Sequence, residues 1–209
     1  MGRRQRTLKP KLAVEAWLRR ALIDLHLAFV HSEQLNYRVF FLQQGLEKLC
    51  KAFLIGTQAL QYEHLESNKA AKWIDDFSRK FGHDLHHLLG LVSVGIKGLE
   101  PWIEDEQLID ILNRGYEEGR YPIPIGKSIW LKHGFPAFAS SDLDDKALQL
   151  ATALWDGVVQ YFKERREVIS IPLQHPLNDG VDPDDWKRFM AIWHMRSGQA
   201  LAKQLTAVS

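Results

Sequence analysis

Between Phe40 and Ile55 the chain reads FFLQQGLEKLCKAFLI, and no other stretch joins so much apolar surface to so ordered a set of polar residues. At about 100° per residue, Val39, Leu42, Leu46, Leu49, Cys50 and Phe53 fall on one broad apolar face of a helix. Gln43, Gln44, Glu47, Lys48 and Lys51 lie opposite, with Phe40, Phe41, Leu54 and Ile55 intruding among them. A helix apolar on so many sides must be covered by neighbours, so the run is expected at the centre of a helical fold. Gly45 at mid-helix costs roughly 1 kcal/mol against alanine, which predicts a neighbouring helix crossing close to it.

The flanking sequence supplies those neighbours. Val14, Leu18, Leu22, Leu25 and Phe29 recur at helical spacing in a first amphipathic helix from Lys11 to about His31, and the central helix is expected to end near Gly56. A polar loop at 57–66 precedes a helix capped by Ser67 and stopped at Gly82. Then come a helix within His83–Ile96, another opened by Pro101 and running to Gly119, and a well-signalled helix from Ser140 and Ser141 to Arg166. Asp182 and Pro183 open the last helix, which carries Trp186, Phe189 and Trp193. Segments 120–139 and 168–180 are broken by proline and show neither helical nor alternating period.

The expected fold is therefore all-α, an antiparallel up-and-down bundle of four to five helices with an additional C-terminal helix. The division is a basic tail over 1–10, the bundle over 11–163 and a C-terminal extension over 164–209. That extension's helix must dock on the bundle or on another subunit.

Composition narrows the function classes. The 27 basic and 26 acidic residues nearly cancel, so no global field selects nucleic acid or an anionic membrane. Cys50 is the single cysteine, which excludes an intrachain disulfide and a multi-cysteine zinc site and fits a core thiol in a reducing cytoplasm. The N-terminal MGRRQRTLKPK lacks the apolar run of a secretory signal, and no apolar stretch is long enough to span a bilayer, so a cytoplasmic location without membrane contact is expected.

Candidate chemistry is sparse. His83 and His87, at i and i+4, could face one metal ion, but the sequence offers no HExxH and no clear third ligand beyond Asp84; capping and surface roles compete, and neither metal nor cofactor is expected. Glu47 and Lys51 have the orientation of a helix-surface ion pair, continued by Gln44 and Lys48. This row is either a structural seam or, buried between helices, a set of donors for an anionic ligand. Arg120, in YEEGRYP, could join them at a phosphate or pair with Glu117 and Glu118. The ligand-binding candidates are thus Gln44, Lys48, Lys51 and Arg120. Gly126, Lys127 and Ser128 lack the earlier glycine of a phosphate loop.

The order of these features resembles the HEPN domains (higher eukaryote and prokaryote nucleotide-binding). An amphipathic first helix is followed by FFLQQGLEKLCKAFLI with its Glu-Lys-x-x-Lys-Ala, then GHDLHHLL at a helix start, then RYP, over roughly Leu12 to Phe162. The resemblance implies a helical bundle, frequent homodimerisation, and a role beside nucleotides or RNA, in one branch as a helper of a nucleotidyltransferase-like protein partner. On that basis the chain is expected to be a non-catalytic module that binds a nucleotide, RNA or a protein. The abundance of Trp, Phe and Leu agrees with pairing, and the strip from Trp155 to Phe162 with part of 120–139 is the expected contact.

Another branch comprises metal-independent ribonucleases with Arg-x(4-6)-His on a late helix. Arg188 and His194 have that spacing, and so do Arg20 and His26, where the family does not place it. Residues six apart on a regular helix point about 240° apart, and Phe189 replaces the usual polar neighbour of the arginine. The ribonuclease using Arg188 and His194 is the alternative. A nuclease needs both in one cleft, whereas a docking helix buries Trp186, Phe189 and Trp193 and leaves the pair apart.

Overall fold

The structure is a computed structural model and describes residues 10–30, 35–59, 72, 76, 78–120, 141–165 and 182–206. Every regular element among them is a helix. These are α1 (Pro10–Val30), α2 (Leu35–Ala59), α3 (Leu85–Ser93), α4 (Glu100–Ile103), α5 (Glu106–Arg120), α6 (Ser141–Glu164) and α7 (Pro183–Thr206). The all-α architecture is as the periodicity predicts. The tail expected over 1–10, the loop expected at 57–66, the cap expected at Ser67 and the segments at 120–139 and 168–180 fall wholly or mostly outside the described residues.

Helix α2 is the axis of the fold, packing on α1, α3, α5 and α6. A Cβ on Gly45 would lie 2.6 Å from Leu25 Cγ and 3.3 Å from the Ala21 carbonyl oxygen, so α1 crosses there at a distance that only glycine permits. Gly56 meets Val14 at the opposite end of α1, which makes the pair antiparallel. Gly56 is also where the sequence expectation needs correction. The helix runs on to Ala59, because Gly56 is a packing site where a Cβ would sit 2.3 Å from Phe162 and 2.5 Å from Val14.

The helix expected from Pro101 to Gly119 is two. Helix α4 ends at Ile103, and Asp105 then restarts the chain, its carboxylate accepting from the Leu108 N–H at 3.0 Å and from Lys146 Nζ of α6 at 2.8 Å. At its far end α5 continues through Gly119 to Arg120.

Asp182 caps α7 through the Asp184 and Asp185 N–H groups. The helix docks on α1 and α6 of its own chain. Trp186, Phe189, Met190 and Trp193 are buried. Phe189 meets His26 at 5.6 Å and Phe29 at 6.2 Å between ring centroids, and Trp193 meets Trp155 edge-on at 5.7 Å. The chain itself therefore covers much of the strip expected to pair with a second copy, since Trp155, Val158 and Phe162 are buried. Among the described residues no helix is long and apolar enough to cross a membrane.

Candidate functional site

The polar face of α2 is buried, and the groups on it bind one another. Gln43, Glu47 and Lys51 are at most 4 % exposed, with Asp24 of α1 beside them equally buried. Glu47 is the hub. Its carboxylate accepts from Lys51 Nζ at 2.7 Å, Gln43 Nε2 at 3.1 Å, Gln44 Nε2 at 3.2 Å, and His83 Nδ1 at 3.0 and 3.1 Å to its two oxygens. Lys48 donates to Gln44 Oε1 at 3.0 Å and is ion-paired with Asp24. Gln44 Nε2 also donates to Gln43 Oε1 at 2.7 Å, and Gln43 Nε2 to the His83 carbonyl at 2.9 Å.

Burial alone would push the Glu47 carboxyl up, but the donors and charges of Lys51 and His83 overcome it, and the group lies below the usual carboxylate range. At Asp24 burial prevails over Lys48 and Arg20, and the carboxyl is raised. The Lys48–Asp24 and Lys51–Glu47 pairs each join one positive to one negative group.

His83 is the outlet of the network, with its side chain half exposed. Gly82 at φ +67° turns the chain just before it. Asp84 then caps α3 through the His86 N–H, while Asn113 of α5 donates to Asp84 at 2.9 Å and accepts from the Leu85 N–H at 2.9 Å. With its backbone so clamped, the His83 ring stacks on Tyr116 of α5 at 4.2 Å and 18°. Phe40 extends the stack on Tyr116 at 6.5 Å and 23°. With Glu47 holding Nδ1–H, Nε2 is the nitrogen left to meet a ligand.

Of the residues expected to bind an anion, Gln44, Lys48 and Lys51 are brought together, but each is engaged within the network. Lys51 is 3 % exposed, so an anion reaches it only by displacing Glu47. Arg120 closes α5, and its side chain lies outside the described residues. His83, which the sequence pairs with His87, instead turns inward to Glu47, and among the described residues no three His, Cys, Asp or Glu side chains converge as a metal site requires. Cys50 is buried, and its thiol is pushed up by that burial and by Glu47, so it remains a core thiol. Arg188 is exposed and paired with Asp185, and His194 is exposed on α7, whose apolar face is the one turned to the bundle.

Sequence reasoning missed three members of this site: Asp24, His83 as partner of Glu47, and Tyr116. One signal was present. Asp24 lies off the apolar stripe of α1 in a helix expected to cross α2, where a carboxylate needs a cationic partner such as Lys48. Compared with protein-family models, with curated proteins and with solved structures, the chain matches none of them.

Proposed function

We propose that the chain is a non-catalytic, HEPN-like helical binding module that takes a nucleotide or short RNA at the mouth of the α1–α2 polar seam. The observation that carries this reading is the His83–Tyr116 stack, seated on a buried Glu47 carboxylate and open to solvent at His83. Aromatic faces of this kind receive bases, while imidazolium and ammonium groups receive phosphate oxygens. Lys48 is the less buried of the two lysines and the one nearer solvent for a phosphate.

Binding fits the site better than catalysis does. The ribonuclease alternative has less support, because Arg188 is held by Asp185 while Trp186, Phe189 and Trp193 fill the docked face of α7. Pairing of two copies belongs to the same proposal through the HEPN resemblance, on a surface other than buried Trp155, Val158 and Phe162. Light scattering should then give twice the 24.1 kDa chain mass at micromolar concentration, and a monomer throughout that range would remove it.

Calorimetric titration with nucleoside mono- and triphosphates and short single-stranded RNA tests the reading. The expected result is saturable heat whose affinity falls with salt, lost in Lys48→Ala and Arg120→Ala and weakened by about 1–3 kcal/mol in Tyr116→Ala. Heat absent with all of these ligands would overturn it in favour of a scaffold for a protein partner.

A further inference from the structure

A second site lies at the other end of α3 from His83. There the turn at Gly95–Lys97 and helix α6 enclose a cleft of about 570 Å³, within the range that holds small molecules. Its shape is set by two close approaches. A Cβ on Gly95 would lie 2.4 Å from the Phe53 ring, and one on Gly157 would lie 2.2 Å from Ile96, so the turn is pressed against both α2 and α6.

Charges of both signs line this cleft. Asp156 lines it half-buried, while Lys97 lines it from the turn and Lys163 from the end of α6. Among the described residues none of the three takes part in an ion pair. Glu164 also lines the cleft but already accepts a hydrogen bond from Gln160 at 2.9 Å. A half-buried carboxylate left unpaired disfavours the fold, and here burial raises its pKa to about 6. Two lysines stand on the same cleft without relieving it. Between these charges the lining is apolar, from Ile96, Ala153 and Val159, with Tyr161 held edge-on against Phe53 at 4.7 Å.

We infer that this cleft binds a small dipolar molecule of the amino-acid class, with its ammonium at Asp156, its carboxylate toward Lys97 and Lys163, and an apolar side chain against Ile96 and Val159. The ligand supplies the missing counter-charge to Asp156, and a molecule carrying both charges meets the carboxylate and the two ammonium groups of the lining at once. The site is separate from the α2 seam and does not depend on the nucleotide reading.

The test is calorimetric titration of the full chain with leucine and phenylalanine, alongside their N-acetyl and carboxamide derivatives. The free amino acids should bind saturably, and each derivative should lose roughly tenfold or more, since each removes one charge-assisted contact. Asp156→Asn should abolish the preference for the free ammonium, and Lys97→Ala with Lys163→Ala the preference for the free carboxylate. Protonation of Asp156 removes the ammonium partner, so affinity should fall by about tenfold per pH unit below pH 6 in the native chain and stay level in Asp156→Asn. The proposal is overturned by absent binding of both amino acids, by N-acetyl derivatives that bind as well as the free forms, or by unchanged affinity in Asp156→Asn whose circular dichroism shows it folded.

Discussion

Replacing Glu47 by alanine would leave the Lys51 ammonium, 3 % exposed, without its carboxylate, and would strand donors from Gln43 and Gln44 as well. Breaking a buried pair from one side costs roughly 3–5 kcal/mol, and urea denaturation of Glu47→Ala should show a loss of that order. Acid should act on the same residue. Because the folded carboxyl lies below its usual range, its contribution is present above the unfolded pKa and is lost as pH falls through the folded value. Asp156 has the opposite sign. Its folded pKa, raised to about 6, makes stability greatest below the unfolded value and diminishes it as pH rises through 6. Asp156→Asn should therefore raise stability at pH 8 by about 1 kcal/mol, after discounting for solvent screening, with the gain vanishing below about pH 4. Thermal melts of both chains across that range measure it, and a gain independent of pH would show that Asp156 carries no such penalty.

Among helices, the same substitution should have opposite effects at two glycines. Alanine at Gly45 gains roughly 1 kcal/mol of helix propensity but drives its Cβ to 2.6 Å from Leu25 Cγ, and overpacking of a core typically costs about 1–3 kcal/mol. A net loss is expected. Gly90 of α3 is exposed, and a Cβ added there would meet nothing within 4 Å, so Gly90→Ala should stabilise by up to about 1 kcal/mol. Chemical denaturation of the two variants decides the matter, and a stabilised Gly45→Ala would mean that α1 can move away from α2 at little cost. The contrast also marks what a sequence can disclose. The crossing at Gly45 is legible because a mid-helix glycine is costly without a packing reason. Gly56 carries the same letter at the end of an apolar run, where it reads as a stop, and only the distant Phe162 and Val14 reveal it as a second crossing point. The break between α4 and α5 is hidden likewise, since Asp105 owes its place partly to Lys146, 41 residues away.

For the molecule as a whole, the candidate site divides along the same line. Glu47 and Lys51 sit on one helix at i and i+4, so their pairing is legible, as is its continuation through Gln44 and Lys48. The partners that bury the row come from α1 and from the turn before α3, at sequence separations of 24 and 36, where periodicity is silent. Helix α7 carries the same lesson to the entire chain. The surplus of large apolar side chains suggested a second copy, yet α7 covers part of that surplus from within, through Trp186, Phe189, Met190 and Trp193 against α1 and α6. A chain lacking residues 182–209 should then uncover Phe29, His26 and Trp155 together, losing the aromatic packing that Phe189 and Trp193 supply. The shortened chain should bind a hydrophobic dye and form assemblies larger than those of the full chain. Trp193→Ala alone should produce a milder form of both effects, because it removes the edge-on contact with Trp155 while the Phe189 contacts with His26 and Phe29 remain. If the shortened chain instead kept the dye response, mass and melting temperature of the full one, α7 would be an appendage, and the apolar face of α6 would need another cover such as the second copy.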